Sequence, residues 1–155
     1  MSTTRQALNE ALKDAMKARD ARATSTLRMV LAKLKDRDIE ARGTGNASGI
    51  DESSVLGVLQ GMVKQRRESI ELYRQGGRQD LVDAEGEEIA VIERFLPQPL
   101  DEAAAEAAIR GIIAEIGAAG IKDMGRVMTA LRERLAGQLD FGKASGTVKS
   151  LLTAG

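Results

Sequence analysis

Phe95-Leu96-Pro97-Gln98-Pro99-Leu100 is the stretch on which the reading of this chain turns. It holds the only two prolines of the sequence. A proline ring lacks the amide proton a helix needs and clashes with the preceding turn, so a helix arriving from Ile89 has to stop near Leu96. Asp101 follows at once, with a carboxylate able to cap a new helix from Glu102. The joint divides the chain into residues 1–96 and 97–155.

Upstream of the joint every segment reads as helix. Thr3 or Thr4 can cap a first helix whose Leu8, Leu12, Ala15 and Met16 recur at three-to-four spacing. The stripe fades at Arg19-Asp20 and resumes with Leu27, Val30, Leu31 and Leu34. Residues 1–42 carry ten basic and six acidic side chains, the most basic third of the chain. That surface is either a solvated helix face or one that meets phosphates or a partner. Gly43-Thr44-Gly45-Asn46-Ala47-Ser48-Gly49 reads as a plain linker, because neither a preceding strand nor a Lys-Ser/Thr ending makes it a phosphate loop.

Asp51 can cap a third helix, with Val55, Leu59, Met62, Arg66, Ile70 and Tyr73 on one face. Arg66 interrupts that stripe and must either snorkel or be paired. Glu68 and Glu71 are close enough in sequence to neutralise part of Lys64-Gln65-Arg66-Arg67. Gly76-Gly77 ends the helix, and Asp80 starts an acidic one expected to pack beside the basic helices.

Beyond the joint, Ala105, Ala108, Ile109, Ile112, Ile113 and Ile116 form an amphipathic stripe closed by Gly117 and Gly120. Lys122-Asp123 opens a helix with Met124, Val127, Met128, Leu131 and Leu135 inward, stopped by Gly137. Asp140-Phe141-Gly142-Lys143 reads as a turn before a last helix bearing Val148, Leu151 and Leu152. The fold class is all-α: about four helices in an N-terminal domain (1–96), then a small three-helix tail domain (97–155).

Composition excludes much chemistry. The 155 residues carry equal numbers of basic and acidic side chains, so no global field draws the chain to nucleic acid or membrane. There is no cysteine and no histidine, which removes the thiol nucleophile, the usual general base near neutral pH and the commonest metal ligand. No catalytic residue, metal site, cofactor or small-molecule substrate is indicated. Only Tyr73, Phe95 and Phe141 are aromatic, so stacking platforms for bases are nearly absent. The Asp-Phe-Gly tripeptide lacks every companion of the kinase magnesium motif and is a coincidence. No apolar run approaches the roughly 20 residues of a membrane helix, and the N-terminus has no apolar signal core. A cytoplasmic location and no membrane partner are the resulting expectations.

Several landmarks follow one another in a fixed order. They are Ser25 to Leu31, Val63 to Ile70, Gly77-Arg78-Gln79-Asp80-Leu81, the proline joint, Lys122 to Met128, and Asp140 to Leu152. Together they resemble the GatB/YqeY family, as a free-standing YqeY-like protein, over essentially the whole chain. The resemblance implies two helical domains, the second similar to the tail of the B subunit of the glutamine-dependent aspartyl/glutamyl-tRNA amidotransferase. There the related domain helps to hold tRNA near its elbow. It does not imply amide transfer, since that enzyme's catalytic parts have no counterpart here. Family members commonly carry an Asp-Gly-Lys turn before the last helix, and here Phe141 is inserted into it.

The expected function is that of a non-catalytic module binding tRNA or a tRNA-handling complex through the tail domain. The candidate RNA-binding residues are Lys122, Arg126, Arg132, Arg134, Lys143 and Lys149, diluted by Glu115, Asp123, Glu133 and Asp140. Gly125 and Gly142 would let the backbone approach RNA closely, and the helix starts at Asp123 and Gly142 would add exposed amides. One alternative is a protein-interaction adaptor without RNA contact, using the basic helix around Arg28 to Arg42 or an incompletely covered apolar stripe. The other, resting on family naming, is an accessory to a glutamine-dependent carbon–nitrogen ligase.

Overall fold

The computed structural model describes residues 3–154. Among them the secondary structure is helical throughout, with seven α-helices: α1 Thr4–Lys17, α2 Ala21–Gly43, α3 Glu52–Gln75, α4 Gln79–Glu93, α5 Glu102–Ile116, α6 Met124–Arg134 and α7 Phe141–Ala154. A single 3-10 turn, Ile121–Asp123, precedes α6. The described residues group into two compact units, one ending at Leu96 and the other beginning at Pro97.

Local chemistry sets most helix ends. Thr3 and Gln6 form a reciprocal capping box on α1. Asp20, Asp51 and Asp101 each accept an amide three residues on and start α2, α3 and α5. Gly117 ends α5 in the left-handed conformation, φ 68°, which glycine adopts without steric penalty. α4 runs out at Glu93, four residues before Pro97. Each side of the joint is fastened to its own unit. Phe95 and Leu96 pack on the first core and Leu100 on the second. The Leu100 amide donates to the Gln138 carbonyl at 3.1 Å, and Gln138 Nε2 donates to the Gln98 carbonyl at 3.2 Å.

In the first unit, Leu8, Leu27, Val30, Leu34, Val55, Leu59 and Ile92 bring all four helices together in one core. Each such side chain contributes about 1.5–3 kcal/mol when fully buried. Met16, expected inward, is exposed, because α1 ends one residue beyond it and α2 departs through a sharp turn at Arg19. Val82 and Val91 are buried along with Ile89 and Ile92, because α4 lies against both α2 and α3 and covers more than one face.

The acidic helix does pack beside a basic one, and it takes over the expected neutralisation. Arg66 is 8% exposed, with Nε 2.9 Å from Glu88 and 3.9 Å from Glu85, both on α4. Arg67 pairs with Glu93 on α4 as well, and Glu71 pairs with Arg74. Glu68 takes no part: two positions on from Arg66, it stands about 160° away around α3.

The glycine-rich stretch is not a free linker. Asp38, on α2, accepts the Ile50 amide at 3.0 Å and an Arg5 guanidinium hydrogen bond at 2.6 Å. These bonds hold its carboxyl below the ordinary carboxylate range, the Ile50 amide having the largest effect. Gly49, at φ +83°, is the residue that lets the loop come this close: a Cβ there would lie 2.5 Å from Asp38 Oδ1.

The second unit closes on Ile109, Val127, Leu131, Leu139 and Val148. The expected turn at Asp140–Lys143 is instead the start of α7. Asp140 Oδ1 accepts the amides of Gly142 and Lys143 at 2.9 and 3.2 Å, so Phe141 enters the first helical turn and packs on the core.

Candidate nucleic-acid interface

The six candidate cations sit on three elements of the second unit. Lys122 lies in the 3-10 turn, Arg126, Arg132 and Arg134 on α6, and Lys143 and Lys149 on α7; all are exposed. The geometry sorts them into two groups. Arg126 and Arg134 are turned towards the end of α5: Arg126 Nη2 donates to the Ile116 carbonyl at 3.0 Å, and Arg134 Nη1 to Glu115 Oε2 at 2.5 Å. Arg126 also lies 3.7 Å from Asp123. Lys122, Arg132, Lys143 and Lys149 have no side-chain hydrogen bond or ion pair among the described residues.

A helix turns about 100° per residue, so Arg132 points about 120° away from Arg126 and about 160° from Arg134. The α6 cations therefore fan around the helix, and two of the three lean on α5. Any convergent surface must be built between elements.

The nearby carboxylates are partly spent on the backbone. Between Gly117 and Ala154 stand six basic and three acidic side chains. Asp123 accepts the Ala119 amide at 2.9 Å, and that bond, ahead of Arg126 and Lys122, holds its carboxyl below the usual range. Asp140 is the cap of α7. Glu133 alone of the three is left facing solvent without a bond. The expectation of exposed amides fails at α7, because Asp140 already occupies those of Gly142 and Lys143. At α6, Asp123 makes no capping bond, since its carboxylate reaches back to Ala119 instead.

The two glycines differ. A Cβ at Gly125 would meet nothing within 4 Å, so that backbone is open to approach. A Cβ at Gly142 would lie 3.2 Å from Asp140 Oδ1, so its smallness serves the cap. Sequence periodicity carries no signal for either role, because capping depends on where a carboxylate folds back.

Residues 5–152 match the family of YqeY-like proteins. The chain belongs to that family. YqeY-like relatives include two yeast proteins named altered inheritance of mitochondria protein 41, mitochondrial. The Lachancea thermotolerans protein is 32% identical over 70% of this chain and 57% of its own length. The Vanderwaltozyma polyspora protein is 32% identical over 61% of this chain and 52% of its own length. An uncharacterized Schizosaccharomyces pombe protein is 31% identical over 59% of this chain and 70% of its own length. The chain spans about half the length of the mitochondrial relatives it matches. Their names overturn the cytoplasmic expectation. That expectation rested on missing secretory and membrane signals, and organelle import uses amphipathic, arginine-rich leaders instead.

Among the described residues no helix is long and apolar enough to cross a membrane, and no group of three or more Asp or Glu side chains could hold a metal ion.

Proposed function

We propose that this YqeY-like chain is a non-catalytic module that binds tRNA, or a tRNA-handling complex, through its second unit, residues 97–155, acting as a tail domain of the GatB/YqeY type. The observation that carries the reading is the unspent positive charge after α5. Lys122, Arg132, Lys143 and Lys149 are exposed and unpaired, while Asp123 and Asp140 are turned onto backbone amides. Free ammonium and guanidinium heads on long, flexible stems suit phosphate oxygens. Arg126 and Arg134 shape the surface beside α5 and can exchange their exposed contacts for phosphate at little cost. The open backbone at Gly125 leaves room for a ribose-phosphate strand. With three aromatic side chains in the whole chain, recognition is of shape and backbone.

The test is a filter-binding titration of the full chain with tRNA at several salt concentrations. Following the names of the relatives, mitochondrial tRNA is the first pool to assay. Binding is expected to weaken steeply with salt, each phosphate contact adding roughly 0.7–0.9 to the log–log slope. Lys122→Ala, Arg132→Ala, Lys143→Ala and Lys149→Ala should each lower both affinity and slope. Absence of tRNA retention at low salt, or retention indifferent to salt, refutes the reading. A protein partner kept after RNase treatment of a lysate would favour the adaptor alternative, and a tRNA amidotransferase among those partners the ligase-accessory one.

A further inference from the structure

We propose that the groove between α2 and α3 is filled by a second copy of this chain, with α3 crossing its own counterpart antiparallel about Gln65. The groove, of about 610 Å³, has Ile50, Val58 and Met62 as its apolar part and Lys33 and Arg37 along the α2 rim. Gly57 and Gly61 leave its α3 wall low; a Cβ at either would meet nothing within 4 Å.

The occupant is indicated by Leu72, which is 68% exposed, more than any other large apolar side chain among the described residues. Val58, Gly61, Gln65, Glu68 and Leu72 follow one another at steps of three and four, so they share one face of α3. Leu72 therefore stands on the same face as the groove, about 21 Å further along the helix from Val58. An antiparallel twofold pairing centred on Gln65 sets residue 72 of each copy opposite residue 58 of the other. Leu72 then enters the partner's groove beside its apolar residues. The same register sets Glu68 opposite position 62, beside the cationic rim. Glu68 and Lys33 each have no bond among the described residues, and Arg37 makes only an exposed contact with Glu40 at 3.3 Å. The surface is self-complementary, as a twofold interface must be, and the glycines allow the backbones to approach closely.

Sedimentation of the full chain from about 1 µM to about 1 mM tests this. A monomer–dimer equilibrium with Kd of about 10–100 µM is expected, the range of a weak, transient contact. Leu72→Glu and Gly61→Leu should each weaken it by at least about tenfold while leaving the helical CD signal unchanged. Glu68→Lys or Lys33→Glu should weaken it, and the pair together should restore it. The chain contains no cysteine, so Gln65→Cys reports the axis: it should form a disulfide-linked dimer faster than an Ala90→Cys control on α4. A monomer at every concentration overturns the proposal. So does a dimer indifferent to Leu72→Glu and Gly61→Leu, or a Gln65→Cys chain that links no faster than the control.

Discussion

Replacing Arg66 by methionine isolates the buried charge at the α3–α4 interface. Methionine keeps most of the apolar stem that lies between Met62 and Ile70, so the change removes the guanidinium and little packing. That group donates to Glu88 at 2.9 Å and to the Met62 carbonyl at 3.1 Å, with Glu85 at 3.9 Å. A hydrogen bond to a charged group contributes about 1.5–3 kcal/mol, and stripping one partner from a fully enclosed ion pair costs about 3–5 kcal/mol. Glu88 and Glu85 retain 21% and 22% exposure, so water partly rehydrates them when Arg66 is gone. Arg22 also stands 3.9 Å from Glu88. Arg66→Met is therefore expected to cost about 2–3 kcal/mol, below the enclosed limit. Urea unfolding followed by far-UV circular dichroism measures it. Glu88→Leu alone should cost a similar amount. The double variant should cost less than the sum of the singles by about 1–2 kcal/mol, because Glu88 is no longer left without its partner and only the more distant, 22% exposed Glu85 is given up to water. An Arg66→Met cost below about 0.5 kcal/mol, or a double variant equal to the sum of the singles, would refute the reasoning.

Gly49→Ala should destabilise the first unit by about 1–3 kcal/mol in a thermal melt, since it forces a side chain into a left-handed backbone 2.5 Å from Asp38. Gly86→Ala, in open space inside α4, should instead stabilise by about 0.5–1 kcal/mol. Asp38 should give a pH signature. Its folded pKa is depressed, so its contribution is present above the unfolded value of about 3.9 and is lost as pH falls through the folded value. The stability gap between the parent and Asp38→Asn should accordingly narrow in acid; a gap constant from neutral pH down through that range would exclude the Arg5–Asp38–Ile50 latch. Asp140→Ala should cost the second unit about 1 kcal/mol by uncapping α7, with Asp140→Asn losing less.

What the residue order settles here is local. The prolines, the capping carboxylates of Asp20, Asp51 and Asp101, and the three-to-four spacing of Leu27, Val30 and Leu34 act within a turn or two of themselves. That is why seven helices and most of their inward faces can be read without a structure, with Met16 the exception. The family is legible for the same reason, since its landmarks lie in register along the chain. Which distant groups meet is decided by packing. Lys64 could have met Glu68, and Arg67 Glu71, one turn along α3, but α4 brought Glu88 to Arg66 from 22 positions away. Asp38 found Ile50 only because the loop folded back over α2. Asp140 folded onto the amides of α7 and made a helix start of a predicted turn. The cations of the tail were visible by type, yet their division into bonded and free depended on where the end of α5 came to lie. Side-chain bonds reach only a few ångströms, so their partners follow from how the helices are brought together.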